Sequence, residues 1–169
     1  MEQRTLGDYR IIKSIGQGTL GNVYLAEHRF MKRQYALKVL PEELSSDRSF
    51  IQRFEEDVKM LASLEHPNIV KIYNISFAQG QYFLVTDCIV DELGETTNLA
   101  QYVMGLRRSL EEDELFSILR RVADPLDYAH SKKAGGKEFV HRCLKLNNIL
   151  VGKSKQGIDI YLSDFGLSR

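Results

Sequence analysis

Residues 16–27 read Gly-Gln-Gly-Thr-Leu-Gly-Asn-Val-Tyr-Leu-Ala-Glu, and this stretch decides between two folds that both use a glycine-rich loop. In dinucleotide-binding folds, the last glycine of a G-x-G-x-x-G motif opens a helix within a strand-helix-strand unit. Here apolar and polar residues alternate after Gly21, which is typical of a strand. The pattern therefore argues against a small dinucleotide-binding enzyme. Taken alone, the turn is either an ordinary glycine hairpin or a loop whose backbone lies over phosphate groups.

Residues 1–90 contain alternating runs that predict five strands, and the first three of these are expected to be antiparallel. The predicted strands are Tyr9–Ile15, Asn22–Glu27, Gln34–Leu40, Ile69–Phe77 and Gln81–Ile89. One helix is predicted between the third and fourth strands. Its apolar positions, at helical spacing, are Phe50, Phe54, Val58, Leu61 and Leu64, and its N-cap candidates are Ser45, Ser46 and Asp47.

The pattern becomes helical after residue 90. Helical periodicity covers Leu99–Leu106 and Glu111–His130, with Pro125 as the expected point of a kink in the second helix. Residues 132–138 are expected to form a basic loop. Two short β-rich runs, Ile149–Val151 and Ile158–Leu162, flank a turn-prone segment. The predicted fold class is α+β, with a five-stranded antiparallel part first and a helical part after it.

The composition excludes several functional classes. The chain has 169 residues, of which 43% are hydrophobic and 27% charged, as in an ordinary globular domain. Its 23 Lys and Arg balance its 23 Asp and Glu, so no overall field attracts nucleic acid or an anionic membrane. The longest uncharged run, Ile72–Thr86, is too short and too polar to span a bilayer.

The two cysteines and the N-terminal sequence bear on location. Cys88 and Cys143 fit neither a disulfide framework nor a paired zinc-ligand spacing, which favours a reducing compartment. The first ten residues mix both charge signs without a following apolar stretch, unlike a secretory signal. We therefore expect a cytoplasmic protein.

The sequence pattern places two charged residues, Lys38 and Asp57, beside apolar residues. Alternation places Ala36 and Lys38 on one face of their strand, an arrangement that suits a nucleotide, although an edge-strand lysine pointing into water is common. Asp57 shares the apolar stripe of its helix with Phe54 and Leu61. A buried carboxylate requires a cationic partner, and Lys38 is the candidate.

Two later motifs make a resemblance specific. They are His141-Arg142-Cys143-Leu144-Lys145-Leu146-Asn147-Asn148 and Asp164-Phe165-Gly166. With the glycine loop, Lys38 and the helix carboxylate, they resemble in order the motifs of protein kinases, including the catalytic loop and the magnesium motif. The run Leu126–His130 resembles the bacterial members of the eukaryotic-like serine/threonine branch, and Lys145 is the serine/threonine-type residue.

This resemblance covers residues 1–169 and implies a protein kinase-like fold. Residues 1–86 would form the nucleotide-binding lobe, residues 87–89 the hinge, and residues 90–169 a partial helical C-lobe. ATP, Mg²⁺ and a protein substrate or binding partner are the implied ligands, with no nucleic acid and no membrane span.

The resemblance also implies residue roles. The implied ATP contacts are Ile15, Gly16, Gln17, Gly18, Thr19, Leu20, Gly21, Asn22, Val23, Ala36, Lys38, Asp87, Ile89 and Leu150. The implied magnesium ligands, Asn148 and Asp164, are oxygen donors, as this hard ion prefers. The implied catalytic set is Lys38, Asp57, Cys143 and Lys145. Thr86 would be the gatekeeper, and the family's hydrophobic spine would contain Leu61, Ile72, His141 and Phe165.

Three features depart from the family pattern. Cys143 occupies the position of the aspartate that accepts the substrate hydroxyl's proton, and a thiol is a weak acceptor. Asp57 replaces a glutamate and is one methylene shorter, so pairing with Lys38 requires the helix to move inward. The chain ends at Arg169, directly after the magnesium motif, so we expect it to lack an activation segment and peptide-binding helices.

Two functions remain as hypotheses. The first is a serine/threonine protein kinase that transfers the γ-phosphoryl group of ATP to protein hydroxyls. The second is a catalytically silent pseudokinase or fragment that acts as a nucleotide-binding scaffold module. Cys143 and the chain end favour the second hypothesis, whereas Lys38, Asn148 and Asp164 favour the first.

Overall fold

The chain divides into two compact units. The computed structural model describes residues 4–18, 20–134, 136–154, 157–165 and 167. The first unit comprises Met1–Ser63 with Lys71–Cys88, and the second comprises Leu64–Val70 with Ile89–Arg169. The assignment of residues 1–86, 87–89 and 90–169 as kinase lobes and hinge stays a prediction.

A six-stranded antiparallel sheet forms most of the first unit. Its strands, in the order β1-β2-β3-β4-β6-β5, are β1 (Thr5–Leu6), β2 (Tyr9–Gly18), β3 (Gly21–His28), β4 (Gln34–Val39), β5 (Ile72–Ala78) and β6 (Gln81–Thr86). The five predicted strands are present, and β1 is a further strand of two residues, too short to show alternation. The predicted start of β5 at Ile69 is wrong, because Ile69 and Val70 pair with Leu162 in the second unit. The predicted end of β6 at Ile89 is also wrong, since the strand stops at Thr86.

The two faces of this sheet differ in chemistry. One face packs a core in which Tyr9 meets Tyr35 and Phe83 edge to face, with ring centroids 5.9 Å apart in both pairs. The buried members of this core are Leu6, Tyr9, Ala26, Tyr35, Leu37, Val39, Phe83 and Val85. The opposite face carries Ala36 and Lys38, because side chains alternate along β4.

Two helices belong to the first unit, α1 (Glu42–Ser45) and α2 (Arg48–Leu61). The Asp47 side chain caps α2 by accepting hydrogen bonds from the backbone N–H groups of Ser49 at 2.9 Å and Phe50 at 3.0 Å. These bonds, chiefly the one from Phe50, lower the pKa of Asp47. Leu64, predicted on this helix, follows its end and belongs to the second unit. The one-turn helix α1 was not predicted.

The described part of the second unit contains two α-helices, a 3-10 helix at Leu146–Asn148 and two small sheets. The helices are α3 (Leu99–Gly105) and α4 (Glu112–Ser131), and α4 remains helical through the buried Pro125. A three-stranded sheet contains β7 (Thr97–Asn98), β10 (Ile149–Ser154) and β11 (Gly157–Leu162), and a two-stranded sheet contains β8 (Lys133–Ala134) and β9 (Lys137–Glu138). Within the described ranges, no helix combines the length and apolarity needed to cross a bilayer.

The last two strands are longer than the sequence predicted. They pair as far as Gly152 with Asp159 and Ser154 with Gly157, so much of the turn-prone segment is strand. A contact from α4 supports this extension, because the Arg121 guanidinium donates to the Ile158 carbonyl at 2.9 Å and to the Asp159 carboxylate. The predicted loop at 132–138 likewise contains paired strands, β8 and β9.

Phe83→Ala is expected to lower the free energy of unfolding by about 3–5 kcal/mol, because Phe83 is 1% exposed and truncation leaves a cavity. Urea denaturation followed by circular dichroism measures this change. The control is Phe77→Ala on the neighbouring strand β5, where the ring is 60% exposed and the expected loss is below about 1 kcal/mol. Equal losses for the two variants would contradict the assignment of the core.

Candidate functional site

The glycine loop joins β2 to β3 as a strand-to-strand turn, in which Gly18 pairs with Gly21. Gly21 has a φ of +135°, and a Cβ at this position would overlap the backbone carbonyl oxygen of Val39. Gly16 has a φ of +146°, and a Cβ there would meet no atom within 4 Å. Glycine is therefore required at position 21 by a close backbone approach as well as by backbone conformation.

The other predicted residues of this loop differ in exposure. Gln17 and Asn22 are exposed, Ile15 and Val23 are half-buried, and Leu20 is buried. Thr19 lies outside the described residues. Gly16 and Gln17 are exposed next to each other, so this part of the loop faces solvent.

Ala36 and Lys38 occupy the interior of the sheet, because β4 lies between β3 and β6. Lys38 is directly opposite Val23 on β3 and Leu84 on β6, and Ala36 is opposite Thr86. Directly paired residues project from the same face, so these five side chains share one surface of the sheet. Lys38 is only 8% exposed. The alternative of an edge-strand lysine pointing into water is therefore wrong.

A cavity of about 290 Å³ lies elsewhere in this unit. It is lined by residues from the strands and the β4–α1 connection: Arg4, Gln17, Gly21, Asn22, Tyr24, Val39, Leu40, Pro41 and Gln81. Asn22 pairs with Val39, so this lining includes the sheet face opposite to Lys38. The cavity therefore lies away from the Lys38 face, but its lining shares Gln17, Gly21 and Asn22 with the ATP contacts that the resemblance implies.

Asp57 lies on α2 and is half-buried, between the buried residues Phe54 and Val58. In the part of the chain that the structure describes, the Asp57 carboxylate makes no ion pair. The structure therefore does not show the expected pairing of Asp57 with Lys38, which stays a prediction.

The predicted hinge begins directly after β6. The Asp87 N–H donates to the Lys71 carbonyl at 2.9 Å, and the buried Thr86 hydroxyl donates to the Asp87 carbonyl at 3.0 Å. Ile89 and Leu150 both belong to the second unit and are half-buried. Leu150 pairs with Asn98 on β7 and with Tyr161 on β11.

Asn148 joins the two late motifs in the second unit. Its side-chain amide nitrogen donates to the Cys143 carbonyl at 2.8 Å and lies 3.4 Å from the Cys143 Sγ. The backbone carbonyl of Asn148 accepts hydrogen bonds from the Ser163 N–H at 2.9 Å and from the Ser163 hydroxyl at 3.1 Å. Since Ser163 directly precedes Asp164, these bonds tie the catalytic-loop motif to the start of the magnesium motif.

His141 packs inside the same unit. It is 3% exposed, its ring centroid lies 4.8 Å from that of Phe165, and its Nδ1 accepts the Cys143 N–H at 3.3 Å. Burial lowers the pKa of this imidazole, and the nearby Asp164 charge acts in the opposite direction. The ring contact fits the packing role implied by the resemblance.

The donor set of Asn148 and Asp164 fits magnesium. The amide nitrogen of Asn148 faces Cys143, which leaves Oδ1 as the ligand atom, and Asp164 supplies a carboxylate. The described residues include no cluster of three or more His, Cys, Asp or Glu side chains that would hold a metal. One amide oxygen and one carboxylate suffice for Mg²⁺, which usually keeps several waters and binds substrate phosphates.

The remaining predicted site residues belong to the two late motifs. Asp164 is 9% exposed and has a φ of +56°, Cys143 is half-buried, and Lys145 is exposed with its carbonyl accepting the Asn148 N–H. Gly166 lies outside the described residues. Sequence reasoning missed Ser163, although its position before Asp164 on a buried strand end was a usable signal.

A model of the protein kinase domain family matches residues 9–169. The chain belongs to this family. The kinase domain is 37% identical to Serine/threonine-protein kinase pkn1 of Chlamydia caviae over 163 residues, which are 96% of this chain and 25% of the relative. It is 31% identical to Serine/threonine-protein kinase PrkC of Bacillus subtilis over 166 residues, 98% of this chain and 24% of the relative. The predicted bacterial serine/threonine kinase family is thus confirmed.

A solved structure confirms the predicted fold class. A double mutant of the PknI kinase domain of Mycobacterium tuberculosis is similar with a TM-score of 0.80 and 25% identity, over 100% of this chain and 62% of that one. The chain spans about a quarter of the length of the curated relatives it matches.

Gly21→Ala is expected to lower the free energy of unfolding by about 1–3 kcal/mol or more, because the new Cβ combines a strained φ with overlap on the Val39 carbonyl. Gly16→Ala is the matched control, since it has a similar φ but open space around the Cβ. Urea denaturation of both variants gives the comparison. A loss for Gly16→Ala equal to that for Gly21→Ala would show that the overlap is relieved without cost.

Proposed function

We propose that this chain binds ATP with Mg²⁺ and belongs to a protein that transfers the γ-phosphoryl group to serine or threonine hydroxyls. The observation that carries the nucleotide part is the burial of Lys38 on the same sheet face as Val23 and Ala36. The cationic head of Lys38 and the apolar side chains beside it match the two parts of a nucleotide, which combines phosphates with an apolar base.

Each unit contributes different groups in this proposal. In the first unit, the glycine loop covers the phosphates, Lys38 contacts the α- and β-phosphates, and Val23 and Ala36 pack on adenine. The hinge from Asp87 to Ile89 binds the edge of the base. In the second unit, Leu150 packs on adenine while Asn148 and Asp164 ligate Mg²⁺. The bound ion would neutralise charge on the transferring phosphoryl group.

Phosphoryl transfer depends mainly on positioning and electrostatic stabilisation. The hydrogen bond from Asn148 to the Cys143 carbonyl and the one from Ser163 to Asn148 maintain the loop conformation. Maintained positioning favours residual kinase activity. The thiol of Cys143 is a poor acceptor for the proton of the substrate hydroxyl. Turnover is therefore expected to be low rather than absent.

A nucleotide-binding scaffold without catalysis is the second candidate, and Cys143 is the observation that favours it. Its Sγ lies 3.4 Å from the Asn148 amide nitrogen, so the thiol points towards the groups that the proposal assigns to the reaction. A protein in this state would retain nucleotide binding and lose transfer.

MgATP at a concentration of 100 times its Kd is expected to stabilise the chain by about 2.7 kcal/mol, because the ligand binds only the folded state. Lys38→Met should reduce this stabilisation, since methionine cannot neutralise phosphate charge. Thermal denaturation with and without MgATP measures both effects. Lys59→Met, on an exposed position of α2, is the control and should respond as the unmodified chain does. An unmodified chain that millimolar MgATP leaves unchanged would contradict nucleotide binding.

Cys143→Asp is expected to raise turnover about 10²-fold, equivalent to about 2.7 kcal/mol of barrier, because a carboxylate orients and deprotonates the acceptor hydroxyl. The measurement is phosphotransfer to a peptide by a chimaera that joins this chain to the residues following the matched segment of the Chlamydia caviae relative.

Cys143→Asn is the control for that comparison, because it matches the shape of aspartate without its charge. It should leave turnover near that of the Cys143 chimaera. If Cys143→Asp also leaves turnover unchanged while MgATP and peptide bind, the missing base does not limit the reaction.

A further inference from the structure

Three side chains of the first unit form a closed hydrogen-bonded network at the start of the predicted hinge. The Asp87 Oδ1 accepts from the Tyr73 hydroxyl at 2.8 Å and from the Arg33 Nη2 at 3.2 Å. The same Arg33 nitrogen donates to the Tyr73 hydroxyl oxygen at 2.8 Å. The three residues come from different places in the sequence: one precedes β4, one lies on β5 and one follows β6.

Aromatic packing holds this network in place. The Arg33 guanidinium lies 5.4 Å from the ring centroids of both Tyr35 and Tyr73. These two rings meet edge to face at 5.3 Å, and Tyr35 is 4% exposed. Such cation–π and edge-to-face contacts restrict the side chains. Burial, with the bond to Asp87, raises the pKa of Tyr73, so its hydroxyl remains a donor at neutral pH.

The backbone of Asp87 is fixed as firmly as its side chain. Its N–H donates to the Lys71 carbonyl at 2.9 Å, and its carbonyl accepts the Thr86 hydroxyl at 3.0 Å. A carbonyl oxygen has two lone pairs, so one acceptor position remains. Asp87 is thus held through its backbone and its side chain together, and the bonds of its carboxylate to Tyr73 and Arg33 restrict the rotation that would turn its carbonyl away.

We infer that Arg33 and Tyr73 are positioning residues for base recognition, which hold Asp87 so that its backbone carbonyl accepts the 6-amino group of adenine. The inference rests on the proposed nucleotide binding. Neither residue touches the nucleotide in this arrangement, because both act on the Asp87 side chain.

A fixed carbonyl discriminates between purines. Adenine presents a 6-amino donor, whereas guanine presents a 6-carbonyl acceptor that would face the Asp87 oxygen without a proton between them. A rigid acceptor rejects guanine because two buried acceptors are left unpaired. When the network is loosened, the carbonyl can turn away. The affinity for ATP then falls, while the affinity for GTP changes little. The network therefore contributes to selectivity for adenine over guanine.

The test uses Tyr73→Phe, which keeps the packed ring and removes the hydroxyl bond to Asp87. Isothermal titration calorimetry of the 169-residue chain gives the Kd for MgATP and for MgGTP. Loss of one hydrogen bond to the charged Asp87 is expected to raise the Kd for ATP about 3- to 10-fold and to reduce the GTP-to-ATP ratio of Kd values by at least about 3-fold. Arg33→Gln, at a 57% exposed side chain, should act in the same direction with less effect.

Tyr82→Phe on β6 is the matched control, because its ring packs on Phe77 and lies outside the network. It should leave the ratio unchanged. If Tyr73→Phe lowers the melting temperature but leaves the ratio unchanged, the network is only structural and the inference is overturned. If the unmodified chain binds neither nucleotide, the proposed function fails and the inference falls with it. Binding of ATP with an unaltered ratio in both network variants overturns the inference alone.

Discussion

The interior position of β4 is the constraint on which the first unit depends. β4 pairs with β3 on one side and β6 on the other, and its side chains from Tyr35 to Val39 are buried on both faces of the sheet. Tyr35, Leu37 and Val39 join the aromatic core, and the alternate positions carry Ala36 and Lys38. Burying a lysine is costly unless an anion stabilises it. The strand that stabilises the core thus also creates the surface proposed for the nucleotide.

The same strand connects the core to the inferred positioning network. Tyr35 belongs to the core, and its other contacts are the edge of Tyr73 and the guanidinium of Arg33. Arg33 and Tyr73 in turn hold the Asp87 carboxylate. A chain of rigid contacts therefore runs from the middle of the sheet to the start of the predicted hinge. Rigid support of this kind reduces the entropy lost when a ligand is bound.

Local patterns in the sequence were sufficient for one class of features. Alternation after Gly21 predicted the strand-to-strand turn, and alternation along β4 predicted that Ala36 and Lys38 share a face. These predictions succeed because strand geometry is set by neighbours two residues apart. The two-residue strands β1 and β7 were not predicted, because two residues cannot show an alternation.

Contacts between distant residues were not predictable in the same way. The side chains of Arg33 and Asp87 are 54 positions apart, and their pairing requires the order of strands to be known first. The bond of Ser163 to Asn148, and that of Arg121 to Asp159, depend similarly on tertiary packing. Whether Asp57 can pair with Lys38 also depends on where α2 lies, so the apolar stripe of the helix alone does not determine it.

The departure at Cys143 changes chemistry more than shape. The strongest bond of Asn148 to this residue goes to the backbone carbonyl at 2.8 Å, and the Cys143 N–H is accepted by the His141 ring. Both bonds use main-chain groups that any residue except proline would supply at position 143. The bonds made by Asn148 and His141 thus hold this loop through its main chain, and the side chain at 143 is the group to which the proposed function assigns proton acceptance. The groups proposed to hold Mg²⁺ are therefore placed mainly by main-chain bonds, so the proposed nucleotide binding would persist in a chain that has lost the proposed phosphoryl transfer.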